Sequence, residues 1–337
     1  MQRTAYFDLL NVFSCISVIA LHCNGYVHSY AMDAEWHAAL VFEVLFYFAV
    51  PVFIMLSGAT LFDYRERYDT RTFYTKRIQR TVLPWFVWSI VIGFAYLMAA
   101  NHIGKEVETS VSVWVQNFIE GKIPLTAYWF FMPLFMLYLF TPWLSKVVRQ
   151  SSCKQLLWLC GIIVFFQAIV SPIFILCNID YQFSLPISGN FALYAIMGYA
   201  LSKYPLEENR RFFSAVAILA LFSLIVRYVG ICNAGERSPL FMTYSGLFAV
   251  LPAIMVFMIG KKLDSHLSLR VRNILRELSK LSLGVYLIHM VVLRTFCAPF
   301  GDSSAIVRYA GIPIVYLVSI GLVWLMKKLP LVKAIVP

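Results

Sequence analysis

Ten long apolar runs, separated by short segments that gather Lys and Arg, leave this 337-residue chain few ways to fold. A helix needs about 20 apolar residues to cross a bilayer core of about 30 Å. In hydrocarbon every backbone N–H and C=O must be paired within its own segment, so the runs read as helices. The predicted spans are 6–28, 39–62, 81–101, 127–147, 155–176, 189–203, 212–231, 240–260, 280–297 and 305–326. The sixth is the shortest, and its outer flank, 181–190 (Y-Q-F-S-L-P-I-S-G-N), is expected to form a re-entrant or interfacial turn. Composition agrees: 61% of residues are hydrophobic and 13% charged, with mean hydropathy +0.75. An ordinary soluble domain carries about 25% charged residues. The expected fold is an all-α integral membrane protein, a bundle of about ten transmembrane helices forming one domain over 1–337, with no soluble domain before or after it.

Orientation follows from the cations. With the N-terminus inside, 22 of the 28 Lys and Arg lie in inner segments, chiefly within 65–80, 146–154, 203–211, 261–280 and 327–333. The outer loops hold only Lys105, Lys122 and Arg237, and Arg227, Arg294 and Arg308 fall within spans. Under the positive-inside rule this predicts both termini inside and an even helix number. The net charge of +11 therefore reads as topology and anionic lipid contact, and not as nucleic-acid binding. Trp36, Trp85, Trp88, Trp114 and Trp143 near span ends fit interfacial belts.

Other patterns narrow the class. The seven cysteines form neither a CxxC pair nor a metal-ligand spacing. Cys177 and Cys232 fall near outer loops, but a disulfide between them is not expected. No cleavable signal is visible, and His22 before Cys23 argues against a lipoprotein site. No internal repeat is evident, which weakens an inverted-repeat transporter reading. Pro51, Pro84, Pro133 and Pro252 in or at the ends of spans suggest kinks that line a cavity.

The first span carries Asp8, Asn11 and His22, with Asn11 and His22 about 20° apart on a helix and Asp8 and Cys15 near the same stripe. Ionisable groups inside a membrane are costly, and so mark a functional site by default. At about 1.5 Å per residue, Asp8 and Asn11 lie near the inner side and His22 about 24 Å up, in the outer third. Glu43, Arg227, Arg294 and Arg308 are expected in the same outer layer, with His289 near mid-depth. An outward-facing polar pocket follows, with His22 as general base. Glu43 is expected to orient it, and the arginines to hold an acceptor or a developing oxyanion. For Arg308 alone, snorkelling or simple ion pairing is the better expectation. His28, His37, His102 and His266 are expected to be solvated surface, and Ser57-Gly58 is read equally as a packing site and a binding site. The basic segments 63–80 and 261–280 could hold a phosphorylated ligand, although topology alone explains most of their charge.

Six stretches carry a family resemblance: D-L-L-N-V-F-S-C-I-S-V-I-A-L-H (8–22), A-V-P-V-F-I-M-L-S-G (49–58), F-Y-T-K-R-I-Q-R-T-V-L-P-W (73–85), Y-W-F-F-M-P-L-F-M-L-Y-L-F-T-P (128–142), A-L-Y-A-I-M-G-Y-A-L (192–201) and S-L-G-V-Y-L-I-H (282–289). In this order they resemble the acyltransferase 3 family of bacterial membrane O-acyltransferases, in length most like the enterobacterial common antigen O-acetyltransferase type. The resemblance implies transfer of an acyl group, usually acetyl from acetyl-CoA, to a hydroxyl of a surface or lipid-linked glycan, in a bacterial inner membrane. It implies no permanently bound cofactor, with acyl-CoA as co-substrate. His22 matches the family's essential histidine. Asn11 stands where the family has a basic residue, and Tyr47 and Phe48 stand where an Arg is common; both are departures.

In this reading Asn11, Ser57, Arg77 and Arg80 face the donor, and Trp129, Arg227, His289 and Arg294 face the acceptor. The donor's pantetheine arm would rise through the bundle to His22, with an acetyl-His22 intermediate as the rival route. The alternative function is a transporter or flippase of lipid-linked sugars without acyl chemistry. A sensor or scaffold would need an output domain or partner surface, and neither is visible. Nothing in the sequence fixes the oligomeric state, a homo-oligomer included.

Overall fold

The computed structural model describes residues 4–102, 104, 107, 110–170, 173–174, 177, 179, 187–205, 209–234, 240–301, 303–330 and 332–336. Arg3, Lys105 and Arg237 lie outside these residues, as does the expected turn at 181–190 up to the helix that begins at Ile187. Among the described residues every regular element is helical. In chain order the α-helices are α1 (Ala5–Cys23), α2 (Ala34–Phe46), α3 (Ala49–Leu61), α4 (Thr70–Arg77), α5 (Leu83–His102), α6 (Val111–Glu120) and α7 (Phe131–Gln150). They continue with α8 (Cys153–Phe165), α9 (Ile187–Lys203), α10 (Arg210–Ala234), α11 (Leu247–Leu263), α12 (Leu269–Ser279), α13 (Ser282–Cys297) and α14 (Gly311–Lys328).

Seven described helical stretches are long and apolar enough to cross a membrane, and eight if α12 and α13, bent by 60°, count as one. The sixth and eighth of the ten sequence spans form shorter helices of 17 residues, α9 and α11. The protein is thus a multi-pass membrane protein. Large side chains such as Phe94, Trp158, Ile218, Phe222 and Leu317 stay exposed on the outside of the bundle, as expected where lipid replaces water.

Helix α1 is the hub, packing against α2, α3, α11, α12, α13 and α14. The tightest seam joins α3 to α9. A Cβ on Gly58 would stand 1.9 Å from the Ala195 carbonyl oxygen, and one on Gly198 would stand 2.1 Å from that of Met55. The two glycines let the backbones touch, which is how small residues bring helices together without a hydrophobic drive.

A proline shapes the site. Pro51 lacks an N–H and its ring opposes the carbonyl four residues back, at Tyr47. Within the long stretch Ala34–Glu66, Tyr47 and Phe48 form a turn between α2 and α3. The outer loop before α2 is tied down separately. Asp33 caps α2 by accepting from the Trp36 backbone N–H at 2.6 Å, and it also accepts from the Tyr26 hydroxyl at 2.9 Å. Those donors hold its carboxyl below the ordinary 3.8. Trp36 donates its ring N–H to the Val27 carbonyl at 3.0 Å and packs with Leu40, Val44 and Ile231. All seven cysteines are free thiols.

Candidate functional site

Among the described residues the bundle encloses an outer and an inner chamber. The outer one, about 590 Å³, is lined by His22 and Cys23 from α1, Glu43 and Tyr47 at the α2 end, Trp129, Tyr244, and Arg294 and Cys297 from α13. The inner one, about 1340 Å³, is lined by Asp8 and Asn11 of α1, Ser57 and Thr60 of α3, Arg67, Lys203 and Lys261. Tyr286 of α13 lines both. Its ring packs against Phe130 at 5.4 Å and Phe131 at 5.6 Å. Its hydroxyl donates to the Ala127 carbonyl, and the Tyr128 hydroxyl donates back to Leu287, each at 2.8 Å. One tethered phenol therefore forms part of both chamber walls.

The outer wall rests on a buried cation. The Arg227 side chain is fully buried, and all three of its nitrogens are engaged. Nε donates to the Phe241 carbonyl at 2.9 Å, Nη1 to the Glu43 carbonyl at 3.1 Å and Nη2 to the Met242 sulfur at 3.5 Å. Nη2 also lies 3.5 Å from Glu43 Oε1. The guanidinium sits 3.8 Å from the Tyr47 ring centre. Tyr47 stacks on Tyr244 at 4.4 Å and 6°, and Tyr244 on Trp129 at 5.6 Å and 24°. This gives a cation–π contact at one end of a three-ring stack.

These placements correct two expectations. Arg227 does not line the chamber; with every nitrogen occupied it braces Glu43 and Tyr47 from behind. No hydrogen bond joins Glu43 to His22 among the described residues, because the Glu43 carboxylate is turned to Arg227. The ring beside His22 is instead that of His289, with centroids 5.3 Å apart and planes tilted by 38°. His289 is buried; its Nδ1 lies 2.7 Å from the Tyr286 carbonyl, and its Nε2 has no partner. Arg294 and Trp129 line the outer chamber. Arg308 is paired elsewhere, with Glu35, and donates to the Ser303 carbonyl at 3.0 Å. His28 lines the chamber, while His37 bonds the Tyr228 hydroxyl at 3.0 Å.

At the inner chamber, Asn11 Oδ1 is buried with no partner. Ser57 lines the wall with its hydroxyl donating to the Phe53 carbonyl at 2.9 Å. Ser57 thus faces the chamber, and Gly58 makes the helix seam. Arg77 and Arg80 do not line the chamber. Arg77 lies against the rings of Phe73 and Tyr138, each 5.7 Å away, and Tyr138 is itself a wall residue. Arg80 is exposed, on the π-helical stretch before α5. The wall cations are Arg67, Lys203 and Lys261. Lys203 pairs with Asp63 at 2.8 Å, and Lys261 ties the carbonyls of Leu201, Ser202 and Tyr204 at the α9 end.

Sequence reasoning did not single out Tyr286, Tyr244 or Lys203 as site residues, and reached Lys261 only as the start of the basic segment 261–280. Tyr286 lies three residues before His289 in S-L-G-V-Y-L-I-H, on the same helix face, which was the available signal. The others become neighbours only through packing.

The bundle thus carries a chamber toward each end, with the Tyr286 side chain common to both walls. The chain belongs to the acyltransferase 3 family: the family's acyltransferase domain matches residues 4–327. Membership makes it an acyltransferase, with an acyl donor and an acceptor as its substrates. Comparison with curated proteins finds no match, and comparison with solved structures finds none.

Proposed function

We propose that this protein transfers an acetyl group from cytoplasmic acetyl-CoA to a sugar hydroxyl at the outer face of a bacterial inner membrane. The finer likeness is to the enterobacterial common antigen O-acetyltransferases. The observation that carries the reading is Tyr286: the chamber holding Asn11 and the chamber holding His22 share that one wall residue. A thioester raised from the inner side meets His22 there, without crossing the whole bilayer as a free acetyl group.

The inner chamber suits the donor. Asn11 offers a desolvated carbonyl oxygen with nothing to accept from, a fit for an amide N–H of a pantetheine arm. Arg67, Lys203 and Lys261 supply positive charge for the phosphates at the inner mouth, in place of the expected Arg77 and Arg80. The outer chamber suits a sugar: a few hundred Å³, aromatic edges from Trp129, Tyr244 and Tyr47, and polar groups from Glu43 and Arg294.

The chemistry needs one base. His22 accepts the proton of the acceptor hydroxyl, the oxygen attacks the thioester carbonyl, and the C–S bond breaks. The proton passes from His22 to the leaving thiolate, giving the ester and free CoA thiol. The test is thiol release by purified protein given acetyl-CoA and a lipid-linked sugar. Release should require the acceptor and vanish in His22→Ala. Sugar movement with no thiol release would mark a transporter instead.

A further inference from the structure

The base assigned above requires a neighbour that holds its ring, and Glu43 is not that neighbour. Glu43 is turned to Arg227, and no hydrogen bond joins it to His22 among the described residues. The ring next to His22 belongs to His289, and its protonation can be read from its partner. His289 Nδ1 lies 2.7 Å from the Tyr286 carbonyl oxygen. A carbonyl oxygen only accepts, so Nδ1 carries the hydrogen. In a neutral imidazole Nε2 is then a bare lone pair. That nitrogen is buried and has no partner, although a buried acceptor left unpaired is unfavourable.

The donor that can satisfy it is the His22 ring, 5.3 Å away between centroids. At this separation facing ring nitrogens come within hydrogen-bond reach through a small ring rotation or one water. We infer that His289 is the positioning residue for His22: its Nε2 accepts the N–H of one His22 ring nitrogen and so turns the other nitrogen, as a lone pair, toward the outer chamber. The Tyr286 carbonyl fixes His289, His289 fixes His22, and His22 meets the acceptor hydroxyl. In the reaction the proton from the hydroxyl goes to the free nitrogen of His22 and later to the leaving thiolate. His289 gains and loses no proton; it supports the imidazolium through its lone pair. The same chain runs from the residue shared by both chambers to the reacting group. The inference rests on His22 being the base.

The experiment pairs two conservative variants. His289→Asn keeps a donor near the Tyr286 carbonyl but has no atom at the Nε2 position. His289→Gln reaches that position with a carbonyl oxygen. His289→Asn should lower kcat by about 10- to 100-fold, the worth of one hydrogen bond to a charged group. The KM values for acetyl-CoA and acceptor should stay nearly unchanged, and His289→Gln should recover most of the loss. In 15N spectra of the labelled, folded protein, His289 should show a protonated Nδ1 and a hydrogen-bonded, unprotonated Nε2. That hydrogen-bond signature should disappear in His22→Ala. An inactive His22→Ala beside a His289→Asn with wild-type kcat, or equal losses in the Asn and Gln variants, overturns this inference alone. A protonated Nε2 on His289 overturns it directly. His22→Ala acting at the wild-type rate overturns the base assignment itself.

Discussion

The two chambers are built in opposite ways. The outer one is small, and its wall is locked from behind: a fully buried arginine grips Glu43, Tyr47 and two backbone carbonyls, and three aromatic rings stack in series. The inner one is more than twice as large, and its cations are engaged with carboxylates and helix-end carbonyls near the surface. The difference teaches where precision is needed. In the proposed reaction, bond making at the outer end tolerates little displacement, which fits a wall held by costly buried contacts. Holding a long, flexible, charged donor needs room and positive charge, and little rigidity.

Seven substitutions, arranged in four experiments, test that contrast. The largest effect should come from Arg227→Met, which leaves the Glu43 carboxylate buried and unpaired. Removing one partner of a buried pair costs about 3–5 kcal/mol, seen as a large loss of thermal stability in detergent. Adding Glu43→Gln should restore part of it. Gly198→Val comes next, since it drives a side chain into the Met55 backbone. Overpacking of this kind costs about 1–3 kcal/mol or more, whereas Gly321→Ala, inside α14 with open space around it, should leave the melting temperature the same or higher. Asn11→Ala should raise the KM for acetyl-CoA about 5- to 10-fold, from one lost hydrogen bond, with acceptor KM untouched; Trp129→Ala should do the reverse. Equal effects of both variants on both substrates would erase the distinction between chambers. The smallest effect belongs to Asp33→Ala at the outer loop. Because folding lowers the Asp33 pKa, its cap stabilises above pH 3.8 and fades as pH falls through the lowered value. The variant should melt slightly earlier at neutral pH, with the gap closing in acid.

How much of this was legible in sequence depends on geometry. Helices announce themselves because apolar length is a one-dimensional signal, and depth along a helix is simple arithmetic. That is why the sequence alone puts His22, Glu43, Arg227, Arg294 and Arg308 in one layer. Direction around each axis is not arithmetic. Packing of α2 on α10 sets Glu43 against Arg227, and packing of α1 on α13 sets His22 beside His289. The inner cations show the same limit. The basic runs were plain, but loop geometry brings Arg67, Lys203 and Lys261 to the wall and leaves Arg80 outside.

The most direct test uses vesicles in which the protein has one orientation, with acetyl-CoA confined to the side of the Lys- and Arg-rich segments and a lipid-linked sugar presented only on the other. Acetylated sugar should appear on the far side, matched by free CoA thiol on the near side, with both lost in His22→Ala. Acetylation only of sugar placed on the same side as acetyl-CoA, or an undiminished rate in His22→Ala, would contradict it.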